Sequence, residues 1–289
     1  MPLTDTKFIN ENIAQREAEL AELLKSVKQK EEMINSKLAV VILAAGLGKR
    51  MKSLDKPKVM FEILGRPMIE YVVELALSVN AERIVPIVGH HREQVINLLN
   101  EKFPGKNIDY AIQEKQLGTG HAVMQTEEIL SGFEGDILIL SGDVPLLKQE
   151  TVQKLIDEHL TNSNYATLLT TVFKDSHGYG RIVRDENGKF LKIVEHKDAS
   201  EEEKKINEIN PAIYIVNSKI LFDSLKQISS DNSQGEYYLP DIFHFIPKEN
   251  ISTVVTNDEL EVTGVNSIEQ LKEMENEINR RKQIEKTIS

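Results

Sequence analysis

The sequence predicts an α/β fold in which a mostly parallel, mixed sheet carries helices on both faces. Three observations predict it. From Ser36 onward, short β-branched-rich apolar runs alternate with helical segments. The first run, Leu38–Leu43, is apolar throughout, as a strand buried on both faces should be. No Gly/Pro/Ser-rich linker, internal repeat or six-residue β-helix period divides the 289 residues, so one large domain fits their length.

The first 36 residues stand apart. Between Phe8 and Asn35 there is no Gly or Pro, and good helix formers dominate. Ile13, Leu20, Val27 and Ile34 recur every seven residues. The stripe predicts an amphipathic extension over residues 1–36. It either docks on its own domain or pairs with a second copy of the chain. The main domain then occupies 37–289.

Within it, Pro67–Val79 reads as a helix opened by Pro, with Met68, Val72, Leu75 and Val79 along one face. Arg83–Val88 is a strand and Glu93–Asn100 a helix. Ile108–Gln113 and Ile137–Leu140 are strands separated by a helix near His121–Leu130. Strands become denser from Tyr165: Ala166–Val172, Arg181–Arg184, Leu191–Glu195 and a single run Ile209–Ile215. Helices near Ser218–Leu225 and Tyr238–Phe245 follow, then strands Ser252–Val255 and Glu261–Val265. A helix over 267–289 closes the chain with Ile268, Leu271, Met274 and Ile278 on one face.

Composition bounds the function. The 35 Lys+Arg and 46 Asp+Glu leave a net charge of −11, which argues against a nucleic-acid polymer as partner. The absence of cysteine excludes disulfides, thiolate catalysis and Cys-based zinc sites. The longest apolar run falls far short of the about 18 residues a membrane span needs, and the N-terminus lacks an apolar signal core. A soluble cytoplasmic protein with no membrane partner is the expectation.

Against that acidic background one segment is basic. The first strand runs into Leu43-Ala44-Ala45-Gly46-Leu47-Gly48, followed by Lys49, Arg50, Lys52, Lys56 and Lys58, with only Asp55 in opposition. A Gly-rich turn exposes backbone N–H groups that can cradle phosphates. It is neither a Walker A loop nor the dinucleotide fingerprint, because Arg50 and Met51 stand where those motifs need Ser/Thr and Gly. A solvated basic loop is the plain alternative; the attached glycines favour a triphosphate clamp. The seven histidines show no metal-binding spacing.

Leu43-Ala-Ala-Gly-x-Gly-x-Arg-Met51 followed by Pro57-Lys58-Val59 resembles the signature of the sugar-1-phosphate nucleotidyltransferases. Gln116–Ala122, Gly142–Pro145, Gly178–Ile182, Val194–Ala199, Gln234–Tyr238 and Gly264–Asn266 follow in the family's order. From Lys37 to the end, the chain most resembles the uridyltransferase domain of bacterial bifunctional enzymes. The acetyltransferase β-helix of those enzymes has no counterpart in it.

The resemblance implies a Rossmann-like α/β/α nucleotidyltransferase domain. It implies Mg²⁺-dependent transfer of UMP from UTP to N-acetylglucosamine 1-phosphate, giving UDP-N-acetylglucosamine for cell-wall precursors. Another sugar 1-phosphate, or a silent nucleotide-sugar scaffold, are the rival expectations. Arg50 and Lys58 match the catalytic cations. Asp143 and Asn266 match the metal ligands, although Asn266 could equally cap the last helix. Leu43, Ala44, Ala45, Gly46, Gly48, Lys58, Gln113, Gly118, Thr119, Gly142 and Asp143 match nucleotide-binding positions, with Thr119 also a candidate cap. Gly180, Glu195, Asn210 and Asn266 match sugar-binding positions. The chain departs from the family at Pro211-Ala212, where Thr-Gly is usual, at Ser141 in place of Tyr, and in a loop one residue longer near Asp55-Lys56.

Overall fold

A computed structural model describes residues 36–46, 48, 51 and 55–288, together with 11, 13, 15–17, 19 and 20. In chain order its strands and α-helices are β1 (Leu38–Leu43), the hairpin β2 (Glu62–Ile63) and β3 (Arg66–Pro67), α1 (Met68–Ser78), β4 (Arg83–Val88), α2 (Arg92–Lys102), β5 (Ala111–Ile112), α3 (Thr119–Met124), β6 (Asp136–Ser141), α4 (Gln149–Thr161), β7 (Ala166–Val172), β8 (Gly180–Arg184), β9 (Phe190–Val194), β10 (Glu208–Asn210), β11 (Tyr214–Asn217), α5 (Ser218–Leu225), β12 (Ile251–Thr256) and α6 (Ile268–Ile288).

The sheet is mixed. β5, β4, β1 and β6 lie side by side in parallel. β11 adds antiparallel to β6 and to the first half of β7, while β10 pairs with the far end of β7. β10 leads on to β8 and β9, and β12 runs parallel to β7. Alternation along β1 explains the three layers. Val40 and Ile42 enter the core beneath α1, α2 and α4, whereas Ala39 and Val41 enter the opposite core beneath α3 and α5. No helix among the described residues is long and apolar enough to cross a membrane.

Several expectations change in the structure. The single run Ile209–Ile215 is two strands, because Pro211 has no N–H and Ala212 turns to φ +58°. Asn210 Oδ1 accepts from Ala212 N at 3.0 Å and holds that turn. A Cβ in this region costs about 1 kcal/mol. Ala212→Gly relieves that cost but frees the unfolded chain by about 0.4–1 kcal/mol, so it is expected to change stability by no more than about 0.5 kcal/mol, measurable by urea unfolding.

Glu261–Val265 is not a strand. A 3₁₀ turn covers Glu259–Val262 and buries the Glu261 carboxylate, which accepts from Thr151 Oγ1 at 2.8 Å and from Thr256 Oγ1. The segment near Tyr238–Phe245 is a 3₁₀ helix over Leu239–His244. The helix expected near His121–Leu130 stops at Met124. Of Ile108–Gln113 only β5 pairs as a strand, with Ile108 bridging Ile84 in isolation.

α4 and the β2–β3 hairpin are not anticipated by the sequence reading. The Val152, Leu155, Ile156 spacing was the available signal for α4, diluted by the Gln, Glu, Lys and Asp around it. The last helix does use its foreseen face: Ile268, Leu271, Met274 and Ile278 pack with Met51, Ile63, Met68 and Val265. Arg281 grips Asp258 with two hydrogen bonds, at 2.8 and 3.0 Å. In the N-terminal stripe Ile13 and Leu20 are helical and exposed, and Val27 and Ile34 lie outside the described residues.

Candidate active site

The parallel strands β1, β4 and β6 all point their carboxyl ends at one rim of the sheet, where α/β proteins collect ligands. Small residues let three chain segments crowd there. Gly142 N donates to Leu43 O at 2.9 Å, and a Cβ on Gly142 would meet that oxygen at 2.8 Å. Gly89, after β4, is as confined: a Cβ there would lie 3.0 Å from Ala45 O. The sequence reading missed Gly89; its place directly after a buried strand was the signal. Gly48 has φ +58°, and a Cβ on it would press against Lys58 Cβ at 2.9 Å. Leu43, Ala44, Ala45, Gly46 and Gly48 thus line one side of the rim. Arg50, with Lys49 and Lys52, lies outside the described residues.

Lys58 is the centre of this cluster. Its ammonium donates to Asp143 Oδ2 and, at 2.7 Å, to Asn266 Oδ1. These partners lie 85 and 208 residues away in sequence. Val265 N donates to Asp143 O at 2.9 Å, tying the Gly264–Asn266 turn to the end of β6. Tyr179 Oη accepts from Gly264 N at 3.2 Å, a brace the sequence reading did not assign. Asn266 does not cap α6: Ser267 Oγ accepts from Gln270 N at 3.2 Å and takes that role. Lys56, by contrast, faces Glu62 at 3.6 Å.

Two oxygens from Asp143 and Asn266 converging on one ammonium form a hard, oxygen-only donor pair around a cation position. That donor set suits magnesium, and its incompleteness suits an ion that draws its remaining ligands from water and phosphate. Among the described residues no group of three or more His, Cys, Asp or Glu would hold a metal by itself.

A second group lies along the β5 edge. Gln113 is buried; its Nε2 donates to Gly118 O at 3.1 Å and lies 3.1 Å from His121 Nδ1. Burial lowers the His121 pKa, which favours the neutral ring. Gly118 has φ +112°, and a Cβ on it would overlap Tyr237 O at 2.4 Å. Thr119 is not a cap: α3 begins at Thr119 itself, and its hydroxyl accepts from Leu239 N at 3.0 Å.

The third group is Gly180, Glu195 and Asn210. A Cβ on Gly180 would lie 3.4 Å from Glu195 Oε1 and 3.5 Å from Asn210 Cβ. Tyr214 Oη donates to Asn210 Oδ1 at 2.8 Å. Glu195 borders a cavity of about 390 Å³ that also touches Asp198, Tyr238 and Asp241. Burial, reinforced by Asp241, Asp198 and Glu236, pushes the Glu195 carboxyl up to about 7.

The folded chain then binds this proton more tightly than the unfolded chain. Stability from Glu195 is full below the ordinary carboxylate range and is lost as pH rises through about 7. Allowing for partial exposure, the loss is about 2 kcal/mol. Glu195→Gln should abolish that part of the decline, seen as a smaller difference between melting temperatures at pH 5 and pH 8.

Fold and site together define an α/β protein with a cationic, glycine-lined rim at the ends of parallel strands. The sequence profile of the nucleotidyl transferase family matches residues 39–259. The chain belongs to that family. It is 48% identical over 246 residues to the bifunctional protein GlmU of Caldanaerobacter subterraneus subsp. tengcongensis, a match covering 84% of this chain and 52% of that protein. It is 44% identical over 228 residues to bifunctional protein GlmU of Bacillus subtilis (strain 168), covering 78% and 49% respectively. The chain thus spans about half the length of these relatives. The crystal structure of UDP-glucose pyrophosphorylase complexed with UDP-glucose shares the fold, with a TM-score of 0.69 at 19% identity over 85% of this chain and 99% of that one.

Proposed function

We propose that the chain is a uridyltransferase that joins UTP to N-acetylglucosamine 1-phosphate, releasing pyrophosphate. The observation that carries this is the convergence of Lys58, Asp143 and Asn266 beside the glycine-lined turn. A phosphate oxygen of the sugar phosphate attacks the α-phosphorus of UTP, and the bond to the β-phosphate oxygen breaks. Both reactants are polyanions, so positioning and charge neutralisation carry the rate and no covalent nucleophile is needed.

Each group then has a part. Leu43, Ala44, Ala45, Gly46, Gly48 and Gly142 give the nucleotide a close, side-chain-poor wall. Lys58, with Arg50, neutralises charge developing on the phosphates. Asp143 and Asn266 would hold a magnesium ion, which when bound supplies further neutralisation of the phosphate oxygens. Gln113, Gly118 and Thr119 bound the base. Gly180, Glu195 and Asn210 meet the sugar; with Asn210 Oδ1 already accepting twice, its amide nitrogen is the atom left to donate.

Support for this particular sugar comes from the likeness to the GlmU proteins and from the Gly180–Glu195–Asn210 group. A panel of sugar 1-phosphates and nucleoside triphosphates, read by pyrophosphate release in magnesium buffer, tests it. The expected result is preference for UTP with N-acetylglucosamine 1-phosphate; equal turnover of glucose 1-phosphate would remove the sugar assignment.

A further inference from the structure

The hydrogen bonds around Gln113 specify which end of its amide a base can meet. Gly118 O is an acceptor only, so the group 3.1 Å from it must be the Gln113 NH₂. The same nitrogen lies 3.1 Å from His121 Nδ1, the shorter of two amide contacts on the ring, which assigns Nδ1 as the acceptor and places the imidazole hydrogen on Nε2. Gln125 Nε2 donates to His121 O at 2.9 Å, and its 3.4 Å approach to the second ring nitrogen is then a contact between two donors, longer than the Gln113 contact that takes the ring's single acceptor. Both hydrogens of the Gln113 amide are thus engaged, and only its carbonyl oxygen has capacity left.

We propose that His121 is a positioning residue that locks the Gln113 amide as an acceptor and so makes the site select uracil over cytosine. The inference rests on the uridyltransferase reading and extends it to a residue that does not itself touch the base. Uracil presents an N3–H, which a locked carbonyl oxygen accepts. Cytosine presents a bare N3 at the same point, and two acceptors repel. An amide free to turn over would suit either base, so discrimination comes from fixing the wrong alternative out.

His121→Leu removes the acceptor, while His121→Asn keeps a carbonyl oxygen on the same helix turn. The ratio of kcat/KM for UTP over CTP, with N-acetylglucosamine 1-phosphate as acceptor, should fall about tenfold or more in the Leu variant. The loss should appear in KM for UTP with kcat nearly kept, and the Asn variant should recover most of the ratio. A Leu variant that melts near the wild-type temperature and keeps the wild-type ratio overturns the proposal. The ¹⁵N spectrum of the wild-type protein decides independently of any variant's folding: a bare Nδ1 on His121 is expected, and a protonated Nδ1 would break the lock. Failure of the wild-type protein to turn over UTP would sink the uridyltransferase reading instead, with the tautomer still reporting on the lock.

Discussion

Asp143→Asn is expected to lower turnover about a thousandfold while leaving the protein folded. The change keeps the size of the side chain and removes only its charge. Two cations depend on that charge: the Lys58 ammonium bonded to it and the magnesium ion it would help to hold. Losing a single group that stabilises developing phosphate charge costs about 10²–10³ in kcat, and weakened metal binding adds to it. Stability should change little, because Asp143 remains 24% exposed and an ion pair so placed is worth about 1 kcal/mol or less. Pyrophosphate release and circular-dichroism melting measure the two effects side by side. Turnover within tenfold of wild type would remove Asp143 from the proposed machinery.

The second large effect has two opposite signs. Lys58→Met should reduce kcat about a hundredfold, through loss of a cation on the phosphates. The same change should tighten binding of a divalent metal to the free protein. In the structure the Lys58 ammonium is the cation seated on Asp143 and Asn266, so a metal ion competes with it for those oxygens. Titration with Mn²⁺ followed by electron paramagnetic resonance should show a lower dissociation constant for the Lys58→Met protein than for wild type. A higher one would show that the ammonium and the metal do not compete.

The order of motifs made this family legible, because phosphate chemistry demands glycines and cations close together in the chain. Leu43 to Lys58 is such a segment, and its strand, β1, has the bounds its apolar run indicates. Helices and strands with strong periodicity were equally legible, such as β4, β7 and α5. The breaks were less so. Pro211-Ala212 reads as a departure in sequence, but that it splits one strand into β10 and β11 depends on Asn210 bonding back to Ala212. The neighbours Val262 and Val265 make Glu261 read as part of a strand. Its burial against Thr151, 110 residues away, bends the segment into a turn instead.

The sequence by itself determined the layered α/β plan, the basic turn in an acidic chain and the candidate residues, since each depends on local spacing and residue chemistry. Tertiary structure alone decided which of those residues meet. Lys58 joins Asp143 and Asn266 only because parallel strands end at a common rim and Val265 pairs back onto Asp143. It also decided which atoms remain available, as at Gln113, whose amide is oriented by a carbonyl and an imidazole from the next turn of chain. Hydrogen-bond capacity is used up by neighbours in space, and spacing along the chain does not record who those neighbours are.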